Sequence, residues 1–220
     1  MANYERNKKF LHPLLELYLP QVLAAIEKKL PAGWKAKLIS GHRTPDDQFI
    51  IYKKGREFKN GNWRKVGVTF TNIDGFTQLS QHNYLPALSF DVGLFRIDGS
   101  YEPEKHYAKI GSVAKKYKFD WGGNWKKFKD QPHIEIPASR LFKKSPVRDV
   151  ALQWQKYLMH AGAYEGKLDG MFGPKSRTAL KEVTGSEMQD IKTWETLYKK
   201  FGPIHKMKDF NNIPYIPVIN

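Results

Sequence analysis

The chain reads as an α+β protein, with helices around a small antiparallel sheet followed by a smaller helical unit. Three observations predict this. Short apolar runs of strand length are interspersed with longer segments of helical period. A charged, proline-bearing stretch at Lys143-Lys144-Ser145-Pro146 interrupts the pattern, and beyond it, as far as Val183, the chain reads as helices with turn residues between. With 220 residues the sequence suffices for one large domain or two smaller ones, and the interruption favours units over 1–142 and 147–220.

The elements follow in chain order. Leu15, Tyr18, Val22, Ile26 and Leu30 recur at helical spacing, so Pro13 to Leu30 is expected as an amphipathic helix on the core, kinked or broken near Pro20. Ala36-Lys37-Leu38-Ile39 and Val66-Gly67-Val68-Thr69-Phe70 suggest strands. Ser80 to Leu88 reads as a loop entering a strand over Ser89 to Phe95, and His133-Ile134-Glu135-Ile136 as a second short strand. Strand residues two apart face the same way, so His133 and Glu135 share one face. Glu104 to Tyr117 reads as a helix. Beyond the boundary, Val150, Leu152, Trp154, Leu158 and Met159 fall on another, and Gly166 to Pro174 is turn chemistry ahead of a helix over Lys175 to Val183.

Composition narrows the function classes. The formal net charge is +15 and the pI about 9.7, which favours polyanionic partners. Nucleic acid is the usual one. Yet the lysines are spread along the chain, with no arginine-rich tract, zinc-finger spacing or helix-turn-helix signal, so no specific nucleic-acid partner is expected. Anionic wall polymers fit the charge equally well. The absence of cysteine excludes a disulfide scaffold and a thiolate metal site. The first thirty residues lack the apolar core and cleavage site of a signal peptide, and no run reaches the ~20 apolar residues of a membrane span. A monomer is expected.

His82, Asp91 and His133 carry the chemistry. Two imidazoles and a carboxylate can fill three positions around a catalytic zinc and leave a fourth for water, and Asp130, three residues before His133, is placed to take that water's proton. The spacing is not that of two histidines four apart on a helix, and a single histidine of this kind is ordinarily a surface or hydrogen-bonded residue. On residue type alone the trio is suggestive only.

Ser80-Gln81-His82 through Phe90-Asp91-Val92, and Asp130-Gln131-Pro132-His133-Ile134-Glu135, resemble the two signature motifs of the zinc peptidases that include D-alanyl-D-alanine carboxypeptidases, D-alanyl-D-alanine dipeptidases and phage L-alanyl-D-glutamate endopeptidases. Ile39 to Gln48, with Ser40-Gly41-His42-Arg43-Thr44 leading into a helix, resembles the family's upstream segment, and Trp121-Gly122-Gly123-Asn124-Trp125 its lead-in to the second motif. The resemblance covers about residues 10–140. It implies His82, Asp91 and His133 as zinc ligands, Asp130 as the catalytic carboxylate and Arg43 as the cation aimed at the substrate carbonyl. Gln48 and Ser80 are expected as substrate-side or supporting hydrogen-bond partners, and Glu135 as an orienter of a ligand histidine. The stretch from His82 to Asp91 is longer than the family's and lacks its glycine, His42 stands where an aromatic residue is common, and the charged insert Glu57 to Lys65 is of a kind that varies.

Val147 to Gly185 resembles the small three-helix peptidoglycan-binding domain of wall hydrolases through Asp169-Gly170-Met171-Phe172-Gly173 before a helix, although the usual closing residues after Thr184 are absent. Trp154, Tyr157 and Tyr164 are expected to stack on sugars there. The combined expectation is a phage endolysin: a zinc peptidase that cuts the L-alanyl-D-glutamate bond of bacterial peptidoglycan, joined to a wall-binding unit. It would stay in the host cytoplasm until lysis releases it to the wall. The alternatives are a D-alanyl-D-alanine carboxypeptidase and an inactive wall-binding protein.

Overall fold

The computed structural model describes residues 5–101 and 106–207. Helix α1 (Pro13–Glu27) opens with its first-turn amides answered by His12, whose Nδ1 accepts from the Leu14 N–H. It runs unbroken through Pro20, which is exposed, while Leu15, Leu19, Val22 and Ile26 around it are buried. Their packing on the sheet holds the helix across the expected break. Strand β1 (Trp34–Ser40) follows, then α2 (Pro45–Lys53), capped by Thr44. A two-stranded hairpin, β2 (Arg56–Lys59) and β3 (Asn62–Lys65), stands apart from the main sheet.

The main sheet has the order β1-β4-β6-β5, all pairs antiparallel, with β4 at Ser89–Arg96, β5 at Asp120–Trp121 and β6 at His133–Glu135. Phe90, Val92 and Leu94 alternate into a core shared with α1 and with α3 (Ala108–Lys116). Ser89, Asp91 and Gly93 therefore point to the other face. The helix expected from Glu104 begins at Ala108 among the described residues; 102–105 lie outside them.

One expected strand is corrected. Val66 to Phe70 is an irregular, mainly exposed segment that joins no strand pair among the described residues, its Val66 and Gly67 amides donating to Gly55 O, and the strands lie just before it in the charged insert. Asn60 and Gly61, both at positive φ, make the two-residue turn whose twist suits a hairpin. That dipeptide was the local signal, and the alternation at Val66, Val68 and Phe70 misled because those side chains stay mostly exposed.

The C-terminal region comprises α4 (Pro146–His160), α5 (Pro174–Thr184) and α6 (Ile191–Phe201), the last absent from the sequence expectation. They enclose a second apolar cluster that also takes in Phe10. Three further expectations are corrected here. Trp154 and Tyr157 are 0% exposed and Tyr164 is 8% exposed, so none presents a ring to a sugar. Their polar atoms are engaged inside: Trp154 Nε1 donates to Leu85 O, Tyr157 OH to Gly202 O, and Tyr164 OH to Lys167 O. Large rings with one polar tip fill the centre of a small helical unit once that tip finds a partner. The part of the C-terminal unit at 208–220 lies outside the described residues.

Candidate metal centre

Three elements deliver the donor atoms. Asp91 and His133 are direct cross-strand partners on β4 and β6, so their side chains leave the sheet side by side. His82 comes from a one-turn 3-10 segment, Gln81–Asn83, closed by a reciprocal cap in which the Ser80 hydroxyl accepts from the His82 N–H and Asn83 Oδ1 accepts from the Ser80 N–H. That turn is fastened to the end of β1: His82 Nδ1 lies 2.6 Å from Gly41 O, and the Arg43 N–H donates to His82 O at 2.9 Å.

His82 Nε2, His133 Nδ1 and Asp91 Oδ1 are each 3.2 Å from the other two. All three residues are buried. Tetrahedral bonds of about 2.0 Å would set ligand atoms about 3.3 Å apart, so this triangle has the dimensions of a zinc face. The outer atoms match. His82 Nδ1–H is committed to Gly41 O, and His133 Nε2 sits 3.1 Å from Glu135 Oε2, which turns the remaining lone pair of each ring inward. Three inward lone pairs cannot satisfy one another, whereas one cation answers all of them. The residues present fit a metal.

The electrostatics point the same way. Burial works against the Asp91 charge, but His82 and Arg43 outweigh it and hold the carboxyl well below its usual range. Burial lowers His82 to about 4, with Arg43 adding to the effect. Burial also opposes a charge on His133, yet its bonds to Asp91 and Glu135 raise it to about 10.

Asp130 stands outside the group of converging donors. Its backbone is set in a tight turn, with its N–H on Gly122 O and its carbonyl accepting from His133 N. Burial first, then the neighbouring Asp91 charge, pushes its carboxyl up to about 6, the range of a general base working near neutral pH. Arg43 is fixed from three sides: it donates to Asp91 Oδ2, from Nε to Ser40 Oγ at 2.9 Å, and from Nη1 to Gln48 Oε1 at 3.2 Å. It therefore touches the Asp91 carboxylate itself. Gln48 is buried and passes the contact on, its Nε2 donating to Thr71 Oγ1 and Ile73 O. His42, also buried, contributes no donor to the trio; burial followed by the His82 charge lowers it to about 4. Trp125, not singled out from the sequence, lies with its ring 5.0 Å from that of His133.

A protein family described as D-alanyl-D-alanine carboxypeptidase matches residues 74–136, the stretch that carries His82, Asp91, Asp130 and His133. The chain is also similar to the peptidoglycan L-alanyl-D-glutamate endopeptidase CwlK of Bacillus subtilis (strain 168), with 32% identity over 136 residues, 57% of this chain and 73% of the relative.

Proposed function

The chain belongs to the D-alanyl-D-alanine carboxypeptidase-like family of peptidases, and we propose that it is a zinc-dependent peptidoglycan peptidase that cuts the bond between L-alanine and D-glutamate in the stem peptide. The observation that carries the reading is the triangle of His82 Nε2, His133 Nδ1 and Asp91 Oδ1, with both imidazoles pinned from behind. Zinc held there supplies Lewis acidity toward a carbonyl and toward water.

The protein's own groups do the rest. Asp130, as the carboxylate, takes a proton from water as its oxygen adds to the amide carbon. It returns that proton to the amine nitrogen as the C–N bond breaks, so the carboxylate is regenerated. Arg43 holds Asp91 Oδ2 and so aims Oδ1, and its permanent charge favours the oxyanion that develops on the carbonyl. Ser80 acts through the turn that presents His82, and Glu135 through His133. A bacteriolytic role, with the cationic chain reaching walls at phage lysis, completes the reading. So does a division into a peptidase unit over 1–142 and a wall-binding unit over 147–220, supported by a second apolar cluster drawn mainly from the C-terminal helices.

Metal analysis of the purified protein is expected to give about one zinc per chain, lost in His133→Ala. Mass spectrometry of digested peptidoglycan then identifies the bond. New N-terminal D-glutamate supports the endopeptidase suggested by the likeness to CwlK; released D-alanine supports the carboxypeptidase suggested by the family description. A metal-free protein of undiminished activity would end the zinc reading.

A further inference from the structure

Six of the twelve large apolar side chains that are exposed among the described residues fall between positions 58 and 79. Phe58, Val66, Val68, Phe70, Phe76 and Leu79 are 47 to 79% exposed. Concentrated exposure of this kind marks a contact surface, whereas scattered single residues do not. The rings there are organised: Tyr52 stacks on Phe49 at 6.0 Å, Trp63 and Phe76 meet Phe49 edge-on at 5.9 and 5.7 Å, and Phe58 lies 5.3 Å from Trp63. Cations sit on them, with Lys53 over Phe49, Lys54 over Phe70 and Arg56 over Tyr52. From 53 to 79 there are six lysines and arginines against Glu57 and Asp74, and Asp74 is occupied by the backbone amides of Phe76, Thr77 and Gln78.

We propose that the surface of α2, the β2–β3 hairpin and segment 66–79 is a second binding site beside the metal centre, which holds an anionic glycopeptide strand with sugar faces on its rings and acidic groups on its lysines and arginines. The inference rests on the peptidoglycan reading above. Two observations select this occupant. Segment 66–79 has no regular secondary structure, and among the described residues the amides of Val68 to Asn72 have no acceptor within the protein, so they need water; a lipid interior would leave them unsatisfied, and a hydrated polymer does not. The surface is also continuous with the centre: Gln48 joins Thr71 and Ile73 on one side to Arg43 on the other, and Arg43 holds Asp91. A strand on this surface lies one buried side chain from the ligand carboxylate, which makes it the same polymer whose peptide is cut. The rings that sequence reading assigned to wall contact are buried in the C-terminal core, and three of the four exposed large aromatic rings among the described residues, Phe58, Phe70 and Phe76, are here.

The test uses the full chain and insoluble peptidoglycan sacculi. Sedimentation in EDTA reads binding without turnover. The doubly substituted Phe58→Ala, Phe70→Ala protein is expected to lose about tenfold in sacculus affinity, about 1.4 kcal/mol. The Lys59→Glu, Lys65→Glu protein, altered only at exposed charges, serves if the first misfolds, and its loss should shrink as salt is raised. In both, the ratio of activity on sacculi to activity on a soluble stem peptide should fall about as far. Folded variants that sediment like the parent overturn the proposal, as does a loss confined to duplex DNA or to anionic phosphatidylglycerol vesicles. A parent protein that sediments with sacculi through these residues but cleaves no stem peptide overturns the hydrolase reading and leaves this surface standing.

Discussion

Glu135 and Gly41 decide which nitrogen of each imidazole faces the centre, and neither would be a metal ligand. For Gly41 the acceptor is a backbone carbonyl and cannot be removed by substitution; for Glu135 it can. Glu135→Ala is expected to lower zinc affinity about 10- to 100-fold, read by competition with a chromophoric chelator, because the His133 ring is then free to turn. Unchanged affinity would reduce Glu135 to a bystander. Asp130→Asn should behave oppositely, keeping its metal while kcat falls by about 100-fold or more. The working form of Asp130 is the carboxylate and its carboxyl is raised to about 6, so turnover should drop as pH falls through that value. The Asn protein's residual rate should lack that limb; an unchanged acid limb would place the base elsewhere.

Among the elements, the loop between α4 and α5 shows how one buried amide can set a turn. Gln155 donates to Tyr164 OH, Asp169 Oδ1 and Met171 O, and its own oxygen accepts from Gly170 N. Gly170 has φ near +68, and a Cβ there would strike the Arg148 carbonyl, so Asp169-Gly170 fits this loop for a steric reason as well as a conformational one. Gln155→Ala leaves the buried Gly170 N–H without its partner, at about 1–3 kcal/mol. In a protein of this size the melting temperature should fall by roughly 5–10 °C. A fall of only a degree or two would mean that water replaces the amide without penalty. The hairpin is the contrasting case: its strands bury almost nothing, and it rests on the Asn60-Gly61 turn and on ring contacts with α2.

Across the whole molecule, the C-terminal helices are tied to the N-terminal segment by Lys9 with Glu195, Trp194 Nε1 with Lys9 O, and Tyr198 OH with Glu16. His12 with Asp149, 2.7 Å apart, is the buried member of this set. Burial works against the Asp149 charge, but His12 and the Phe142 N–H hold its carboxyl below the ordinary value. A depressed folded-state pKa means that the stability is present above about pH 4, the unfolded carboxylate value, and is lost as pH falls through the folded one. Asp149→Asn should therefore cost about 2–3 kcal/mol in urea unfolding at pH 7, and the gap from the parent should narrow toward pH 3. A gap independent of pH would mean that only packing was lost. Zinc supplies a second whole-molecule test: at a free concentration 100 times its Kd it should add about 2.7 kcal/mol of stability, and His82→Ala should abolish that gain.

The sequence by itself determined what is local. The alternation along β4, the caps at Ser80 and Thr44, and the prolines opening α1, α4 and α5 follow from neighbours within a few residues. Tertiary structure alone decided what depends on long-range burial. Helix α1 crosses Pro20 because Pro20 lies on its exposed side while Leu19, Val22 and Ile26 pack on the other, and Val66 to Phe70 stays irregular because its side chains are mostly exposed. Trp154, Tyr157 and Tyr164 are core because three helices close over them. Arg43 meets Asp91 because the end of β1 pairs with the start of β4, so a cation assigned to the substrate also grips the Asp91 carboxylate. Aromatic and charged side chains have the same local propensities inside a protein as on its surface, and only the assembled packing separates the two.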